Sequence, residues 1–350
     1  MHSTESSVGM LAQRCYYALK PFVPWKIRTW LRRFHVRRRM RAAAGQWPIL
    51  PEAAVPPPGW TGWPNGKQFA LILTHDVERA EGLAQCRRLA ELERELGFRS
   101  SFNFVPEGTY RTPSELREWL GREGFEVGVH DLNHDGWLFG SSRSFLAKAR
   151  RINHYLREWK ADGFRAGFML RNLDWMHHLQ ISYDSSTFDT DPFEFQPDGA
   201  KTIFPFWIPT PTGPNADPAL QPPGPGDSTS PNSRGGYLEL PYTLPQDSTL
   251  YLVLQESSPR IWIEKLDWIA SQGGMALVNV HPDYLDFDHD TSSPRRYPAS
   301  WYQRFLRHVL ARYPNAYWNP LARELTAWHR ELPSRGMVAE ANETGRSLHV

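Results

Sequence analysis

The sequence predicts an α/β fold built on a parallel sheet, open or closed into a barrel. Three observations predict it. Short apolar runs alternate with stretches of helical spacing along most of the chain, the pattern of parallel strands joined by crossover helices. Groups that titrate or bind metal recur just after the apolar runs, where parallel α/β folds collect their chemistry. The length, 350 residues, holds one barrel with extensions.

The ends of the chain differ from its body. Residues 1–51 hold ten Lys or Arg and one acid, Glu5, a net charge of +9, which leaves −7 for the rest of a chain whose total is +2. Residues 1–50 therefore read as a basic, aromatic-rich arm. Within it, 11–43 interleave Tyr16, Tyr17, Phe22, Trp25, Trp30 and Phe34 with bases. That mixture suits an anionic membrane surface, rings at headgroup depth and bases on lipid phosphates. A solvated basic tail is the plain alternative, and nucleic acid is a less favoured partner. Residues 51–67, rich in Pro, read as a linker, and 331–350 as a polar tail.

The body, 68–330, is taken in order. Phe69–Thr74 reads as a buried strand. Arg79–Leu96 has helical periodicity and stops at Gly97. Ser101–Val105 is the next strand. Thr112-Pro113-Ser114-Glu115 carries an N-cap, a first-turn Pro and an acid able to close a capping box, for a helix to about Leu120. Phe125–Val129 is a third strand, Ser142–Trp159 a helix, Phe164–Ala166 the start of a fourth strand. Asn172–Leu179 is a short helix and Ile181–Ser186 a fifth strand. Residues 205–236, dominated by Pro and Gly, read as a loop. Tyr237–Leu240 is a strand, Pro259–Ser271 a helix, Met275–Val280 a strand, Ala299–Arg312 a helix and Ala316–Trp318 a last strand.

Composition is that of an ordinary globular chain, 40% hydrophobic and 22% charged. Two cysteines, Cys15 and Cys86, make no disulfide framework and are compatible with a reducing compartment. No run of about 18 apolar residues predicts a membrane span, and the N-terminus lacks the apolar core of a secretory signal. The expectation is a cytoplasmic protein, peripheral at the inner face of the membrane if the arm adsorbs there. The 15 Trp suit sugar-stacking surfaces and core packing alike.

The centre of the sequence is Val127–Gly136, which sets His130 and His134 four residues apart. On a helix that spacing stacks two imidazoles on one face, and neutral imidazole binds divalent metal. A third ligand, a carboxylate, is then sought elsewhere. Strand ends supply candidates: Asp76 and Glu78 after the first strand, Arg165 on the fourth, Asp184, Asp189 and Asp191 after the fifth, and His281 and Asp283 after Met275–Val280. Each has a plainer reading. The acids favour a following helix N-terminus, Arg165 forms a surface ion pair, and His281 closes a strand before Pro282. His177 and His178, adjacent, point different ways. His289 sits in an acidic stretch with a weak claim on a cation.

In this order the motifs resemble the polysaccharide deacetylases of carbohydrate esterase family 4, the nodulation-type chitooligosaccharide deacetylase superfamily, over about residues 68–320. Leu73-Thr74-His75-Asp76-Val77-Glu78 is similar to the first motif, which supplies a catalytic base and a metal-binding carboxylate. His130-Asp131-Leu132-Asn133-His134 resembles the metal-ligand motif, and Gly163-Phe164-Arg165-Ala166-Gly167 the one whose Arg orients the base. Tyr183-Asp184-Ser185-Ser186 with Asp189 resembles the fourth, and Leu277-Val278-Asn279-Val280-His281 the last, whose His is the general acid. The resemblance implies a distorted (β/α)7 barrel and a metal-dependent hydrolase that removes acetyl groups from an N- or O-acetylated sugar. The sugar is expected in a bacterial surface polysaccharide or its precursor, because phrases such as Thr-His-Asp-Val and His-Pro-Asp-Tyr are met among proteins of that assembly.

It also implies roles. Glu78, His130 and His134 bind Zn²⁺ (or Co²⁺, Ni²⁺ or Fe²⁺), Asp76 is the base, His281 the acid, Arg165 the orienting cation, and Asp184 or Asp189 keeps His281 protonated. A swap that puts Asp76 on the metal stays open. The chain departs from the family where its acids are separated by Val77, where Asp131 replaces Ser or Thr, and where Gly167 replaces Pro. The alternative is a catalytically inactive relative that binds a glycan or works at a membrane surface.

Overall fold

The computed structural model describes residues 25–43, 45–211, 235–288 and 293–332. The arm before residue 25, His289, the stretch 212–234 and the tail after residue 332 lie outside the described residues.

The architecture is a curled, mostly parallel sheet of the distorted-barrel kind. Its strands are β1 (Phe69–Val77), β2 (Ser101–Phe104), β3 (Glu126–His130), β4 (Gly163–Arg165), β5 (Tyr183–Asp184), β6 (Phe206–Pro209), β7 (Gly236–Glu239), β8 (Met275–Asn279) and β11 (Tyr317–Trp318); β9 (Leu285–Asp286) and β10 (Tyr297–Pro298) form a separate pair. The parallel path runs β8-β1-β2-β3-β4-β5-β7, and β6 adds antiparallel to β7. One edge of β1 is shared: its upper half pairs β2 from Thr74 to Val77, and its lower end pairs β11 through Phe69 and Ala70. Asn319 bridges that junction, giving Nδ2 hydrogens to the carbonyls of Leu71 and Arg99 and accepting from the Arg99 amide.

Between β7 and β8 the ladder gives way to single contacts. The amides of Thr243 and Leu244 both donate to the Leu277 carbonyl, and the Thr243 hydroxyl links the Leu277 amide to the Met275 carbonyl. These bonds satisfy backbone groups that a regular strand pair would otherwise satisfy, and they draw β8 and its following His281 toward the end of β7.

Helices cover the outside. They are α1 (Trp25–Ala42), α2 (Ala80–Glu95), α3 (Ser114–Arg122), α4 (Ser142–Trp159), α5 (Leu173–Met176), α6 (Arg260–Gln272) and α7 (Ala299–Arg312). The spacing of Phe145, Ala149, Ile152 and Leu156 gives α4 its buried face, and Ser141 caps it on the Ser144 amide. The capping box expected at Thr112 does not form: α3 starts at Ser114 with Pro113 at its N-cap and no side-chain cap. A π-helix over Ser248–Val253, capped by Asp247, and helical backbone over 322–332 have no counterpart in the sequence reading.

Two expectations are corrected. Residues 205–236 are not all loop, because Phe206-Trp207-Ile208, aromatic and β-branched, form β6. The stretch 51–67 is not a free linker. Ala53 and Trp63 are buried, Trp63 Nε1 donates to the Gly273 carbonyl at 2.8 Å, and Trp60 and Trp63 pack with Trp328. Proline limits helix and sheet but not burial, and here the indoles hold the strap against the barrel.

Candidate metal centre

A strand turns successive side chains to opposite faces. On β1 this sorts the first motif. Thr74, Asp76 and Glu78 point to one side, His75 and Val77 to the other. His75 is accordingly buried outside the site, its Nδ1 on the Val280 carbonyl at 3.0 Å and its Nε2 on Glu93 at 2.9 Å. The one-residue gap between the acids is what sets both of them at the same mouth.

His130 ends β3 and His134 lies in the irregular loop after it. They are not one turn apart on a helix, as the spacing suggested. Asp131 and His134 adopt left-handed backbone, φ 56° and 53°, and this folded loop brings the two rings to 4.9 Å between centroids. His130 Nδ1 donates to the Arg165 carbonyl at 3.0 Å, because a carbonyl only accepts. In the neutral ring Nε2 then carries the lone pair, and it is buried and without a hydrogen-bond partner. Phe168 stacks on His134 at 4.2 Å.

Glu78 completes the cluster. One ligand atom each from Glu78, His130 and His134 lie within 4.8 Å of one another, and Glu78 Oε1 is 3.3 Å from His134 Nε2. Two imidazoles and a carboxylate are the donor set of a catalytic zinc site, and a buried imidazole nitrogen with no other partner fits a metal ligand. Glu78 is itself held: Tyr284 donates its hydroxyl to Oε2 at 2.9 Å, and the Glu78 amide donates to Asp283 at 3.0 Å. Burial would raise the Glu78 carboxyl, but His134, His281, His130 and Arg79 together hold it low.

Asp76 stands beside this cluster, buried, with three donors. Asn103 gives an amide hydrogen to Oδ1 at 3.0 Å, Arg165 lies 3.2 Å from the same oxygen, and Asn279 donates to Oδ2 at 2.7 Å. Burial alone would raise this carboxyl; the Arg165 guanidinium first, then His130 and His281, hold it well below the usual carboxylate range. Arg165 is fully buried and immobilised by the Ser185 carbonyl and hydroxyl, both at 2.7 Å, and by Thr74 at 2.9 Å. It is not the surface ion pair of the plainer reading.

His281 faces Glu78 from just beyond β8, Nε2 3.8 Å from Oε1. Its orienting acid is Asp247, which the sequence reading missed. His281 Nδ1 lies 2.6 Å from Asp247 Oδ1, the His281 amide donates to Oδ2 at 2.8 Å, and Tyr297 adds a third donor at 3.0 Å. Burial lowers the His281 imidazole, but Asp247, then Glu78 and Asp76, push it up to about 10. Asp247 follows Pro245 in a segment with no periodicity, so its only sequence signal was an acid before a Ser at a helix start.

Asp184 and Asp189 are corrections. Neither is the partner of His281. Asp184 accepts from Ser186 at 2.7 Å beside buried Glu239, and burial and that second carboxylate raise it well above its usual value. Asp189 forms a buried ion pair with Lys265 at 2.7 Å; burial pushes it up to about 6 against the pull of that lysine. Asp184 sits on β5 and Asp189 in the segment after it, both in polar clusters that hold the wall. His177 packs on Tyr237. Asp191 accepts from Tyr242 at 2.7 Å, likewise in the wall.

Similarity to solved structures agrees with the fold. The chain superposes on a protein of Mycobacterium smegmatis proposed to be a polysaccharide deacetylase with a TM-score of 0.55, at 18% identity, over 79% of this chain and 95% of that one. The fold is that of a polysaccharide deacetylase. The chain also superposes on a peptidoglycan deacetylase of Bacillus subtilis (TM-score 0.41, 12% identity, 82% of this chain and 100% of that one) and on a chitin deacetylase of Colletotrichum lindemuthianum (TM-score 0.40, 13% identity, 74% and 88%). No family model and no curated protein matches the sequence.

Proposed function

We propose that the chain is a metal-dependent hydrolase that removes acetyl groups from an N- or O-acetylated sugar of a bacterial surface polysaccharide or its precursor. The observation that carries the reading is the convergence of Glu78, His130 and His134, with Asp76 and His281 both close to them. The shared fold with the Mycobacterium protein supports a glycan as substrate.

Glu78, His130 and His134 would hold a divalent cation of the zinc class, which would polarise the acyl carbonyl and lower the pKa of a water. Asp76 is the base placed to take a proton from the attacking water. Three of its four lone-pair positions are taken by Asn103, Arg165 and Asn279, which leaves one on Oδ2 and fixes its direction. Glu78 is the better metal ligand of the two acids, because it meets the histidines while Asp76 already accepts from three donors.

His281 keeps its Nδ1 hydrogen on Asp247 and presents Nε2 to the leaving group. It gives a proton to the amine or alkoxide as the carbon–heteroatom bond breaks, and the water oxygen stays on the acetate. A base and an acid within hydrogen-bond reach of the reacting groups are what such a displacement needs.

The test pairs metal analysis with turnover. Wild-type protein is expected to bind one zinc per chain and to release acetate from N-acetylated or O-acetylated sugar oligomers. His130→Ala and His134→Ala should lose both. Metal retained at full stoichiometry in both variants would sink the ligand assignment. Glycan binding without acetate release in the metal-loaded wild type would make the chain a binding relative rather than an enzyme.

A further inference from the structure

The arm's described part is a helix with two opposed faces. On the inner face of α1, Val36 is buried and Met40 packs on the core, and Ala43 just beyond the helix is buried. Arg33 donates twice to the Leu252 carbonyl, at 2.9 and 3.2 Å, and Arg39 donates to the Pro192 carbonyl at 2.7 Å. These contacts hold the helix on the barrel. They also use two of its arginines inward.

On the opposite face stand Ile27, Trp30, Leu31 and Phe34, at 50%, 64%, 51% and 59% exposure. Their spacing, i, i+3, i+4 and i+7, makes one continuous apolar stripe. Trp30 and Phe34 stack at 6.0 Å. The same outer face continues toward the C-terminus as Arg37, Arg38 and Arg41, all exposed. Four large apolar side chains in one exposed stripe are more than scattered surface hydrophobics, and such a patch marks a binding surface.

We infer that the outer face of α1 is an adsorption site for an anionic lipid bilayer. Charge complementarity selects this occupant. A protein groove would take the apolar stripe but gives three adjacent arginines no role, while nucleic acid would take the arginines and leave the aliphatic Ile27 and Leu31 in water. A bilayer interface accepts both, with the aromatic and aliphatic groups at the acyl boundary and guanidinium groups on lipid phosphates. No helix among the described residues is long and apolar enough to cross a membrane, so the contact is in the plane of the interface. This inference does not depend on the hydrolase reading.

The experiment uses the full chain and sedimentable vesicles, of phosphatidylcholine alone or with a third of it replaced by phosphatidylglycerol. Wild type is expected to partition onto the mixed vesicles and much less onto phosphatidylcholine, with the difference shrinking in high salt. Replacing Arg37, Arg38 and Arg41 by Gln should weaken partition on the order of a hundredfold, about fivefold for each arginine near the surface. Trp30→Ala with Phe34→Ala should weaken it on the order of tenfold or more. All substituted side chains are exposed, so thermal midpoints should match wild type.

Three results would overturn the inference. One is equal partition onto both vesicles. Another is partition unchanged in both variants. The last is a solution dimer, or binding to a DNA duplex without binding to vesicles, that the same substitutions abolish.

Discussion

The Asp131 carboxylate fills the space that a side chain at position 167 would need. A Cβ placed on Gly167 would overlap Asp131 Oδ2 and come within 2.9 Å of His134 Cδ2. Two departures from the family pattern, Asp131 for Ser or Thr and Gly167 for Pro, are therefore one arrangement. The larger side chain on the His130–His134 loop is accommodated by the smaller one on the facing loop, and left-handed backbone at Asp131 and His134 lets the loop fold into that gap.

Gly167→Ala should consequently displace Asp131 and His134 together. It is expected to cost about 1–3 kcal/mol of stability by overpacking and to weaken zinc binding. Adding Asp131→Ser should recover most of both losses. A double-mutant cycle by urea denaturation and zinc titration checks it; additive effects would show that the two positions are independent.

Tyr284→Phe removes the donor that fixes Glu78 Oε2 and leaves the ring in place. Groups that orient metal ligands are worth about 10–100-fold in metal affinity. Zinc titration of the metal-free variant should show a loss of that order with an unchanged melting midpoint. Unaltered affinity would remove Tyr284 from the support of the centre.

Asp247→Asn should separate binding from proton transfer. The variant cannot hold His281 in the same orientation with the same charge, so turnover is expected to fall about 10²–10⁴-fold, the range for a general acid. Zinc content and glycan affinity should persist. If turnover stays within a few-fold of wild type, His281 does not act through Asp247.

Lys265→Met tests the reassignment of Asp189. It leaves a buried carboxylate without its cation, which costs about 3–5 kcal/mol. Zinc stoichiometry should be unaffected, because Asp189 is held in the wall by Lys265 and is not one of the candidate ligands Glu78, His130 and His134. A selective loss of turnover at full stability would return Asp189 to the site.

Glu194 makes a pH dependence. It is buried against Gln246 at 3.0 Å; burial and then Asp191 push its carboxyl from 4.5 up to about 8. A carboxyl raised on folding binds its proton more tightly in the folded chain. Its contribution is thus complete below pH 4.5 and is lost as pH rises to about 8, at up to ~1.4 kcal/mol per pH unit. Urea midpoints across that window should decline, and Glu194→Gln should flatten the decline.

The alternation of strands and helices was legible because burial imposes periodicity. α4 and α7 begin and end where the apolar spacing of Ser142–Trp159 and Ala299–Arg312 places them. His130, His134, Asp76, Glu78, Arg165 and His281 were legible because they sit in motifs at strand ends. The residues that hold them were not. Asn103 reaches Asp76 across 27 residues and Asn279 across 203, and Asp247 reaches His281 from a segment with no pattern. Such partners are fixed by where strands lie side by side, which sequence spacing does not encode. Asp184 and Asp189 were misread for the same reason: being after a strand puts an acid near the mouth but does not say which neighbour it meets.

The alternation along β1 ties the chemistry to pairing offset. β1 and β8 are matched from Ala70 with Met275 to Thr74 with Asn279, and that register turns Asp76 and Glu78 inward. A slip of one residue would rotate both acids to the helix side and present His75 and Val77 in their place. A single-residue insertion in this strand would therefore act as a change of reaction centre and not merely of stability, so β1 tolerates substitution far better than any change in its length.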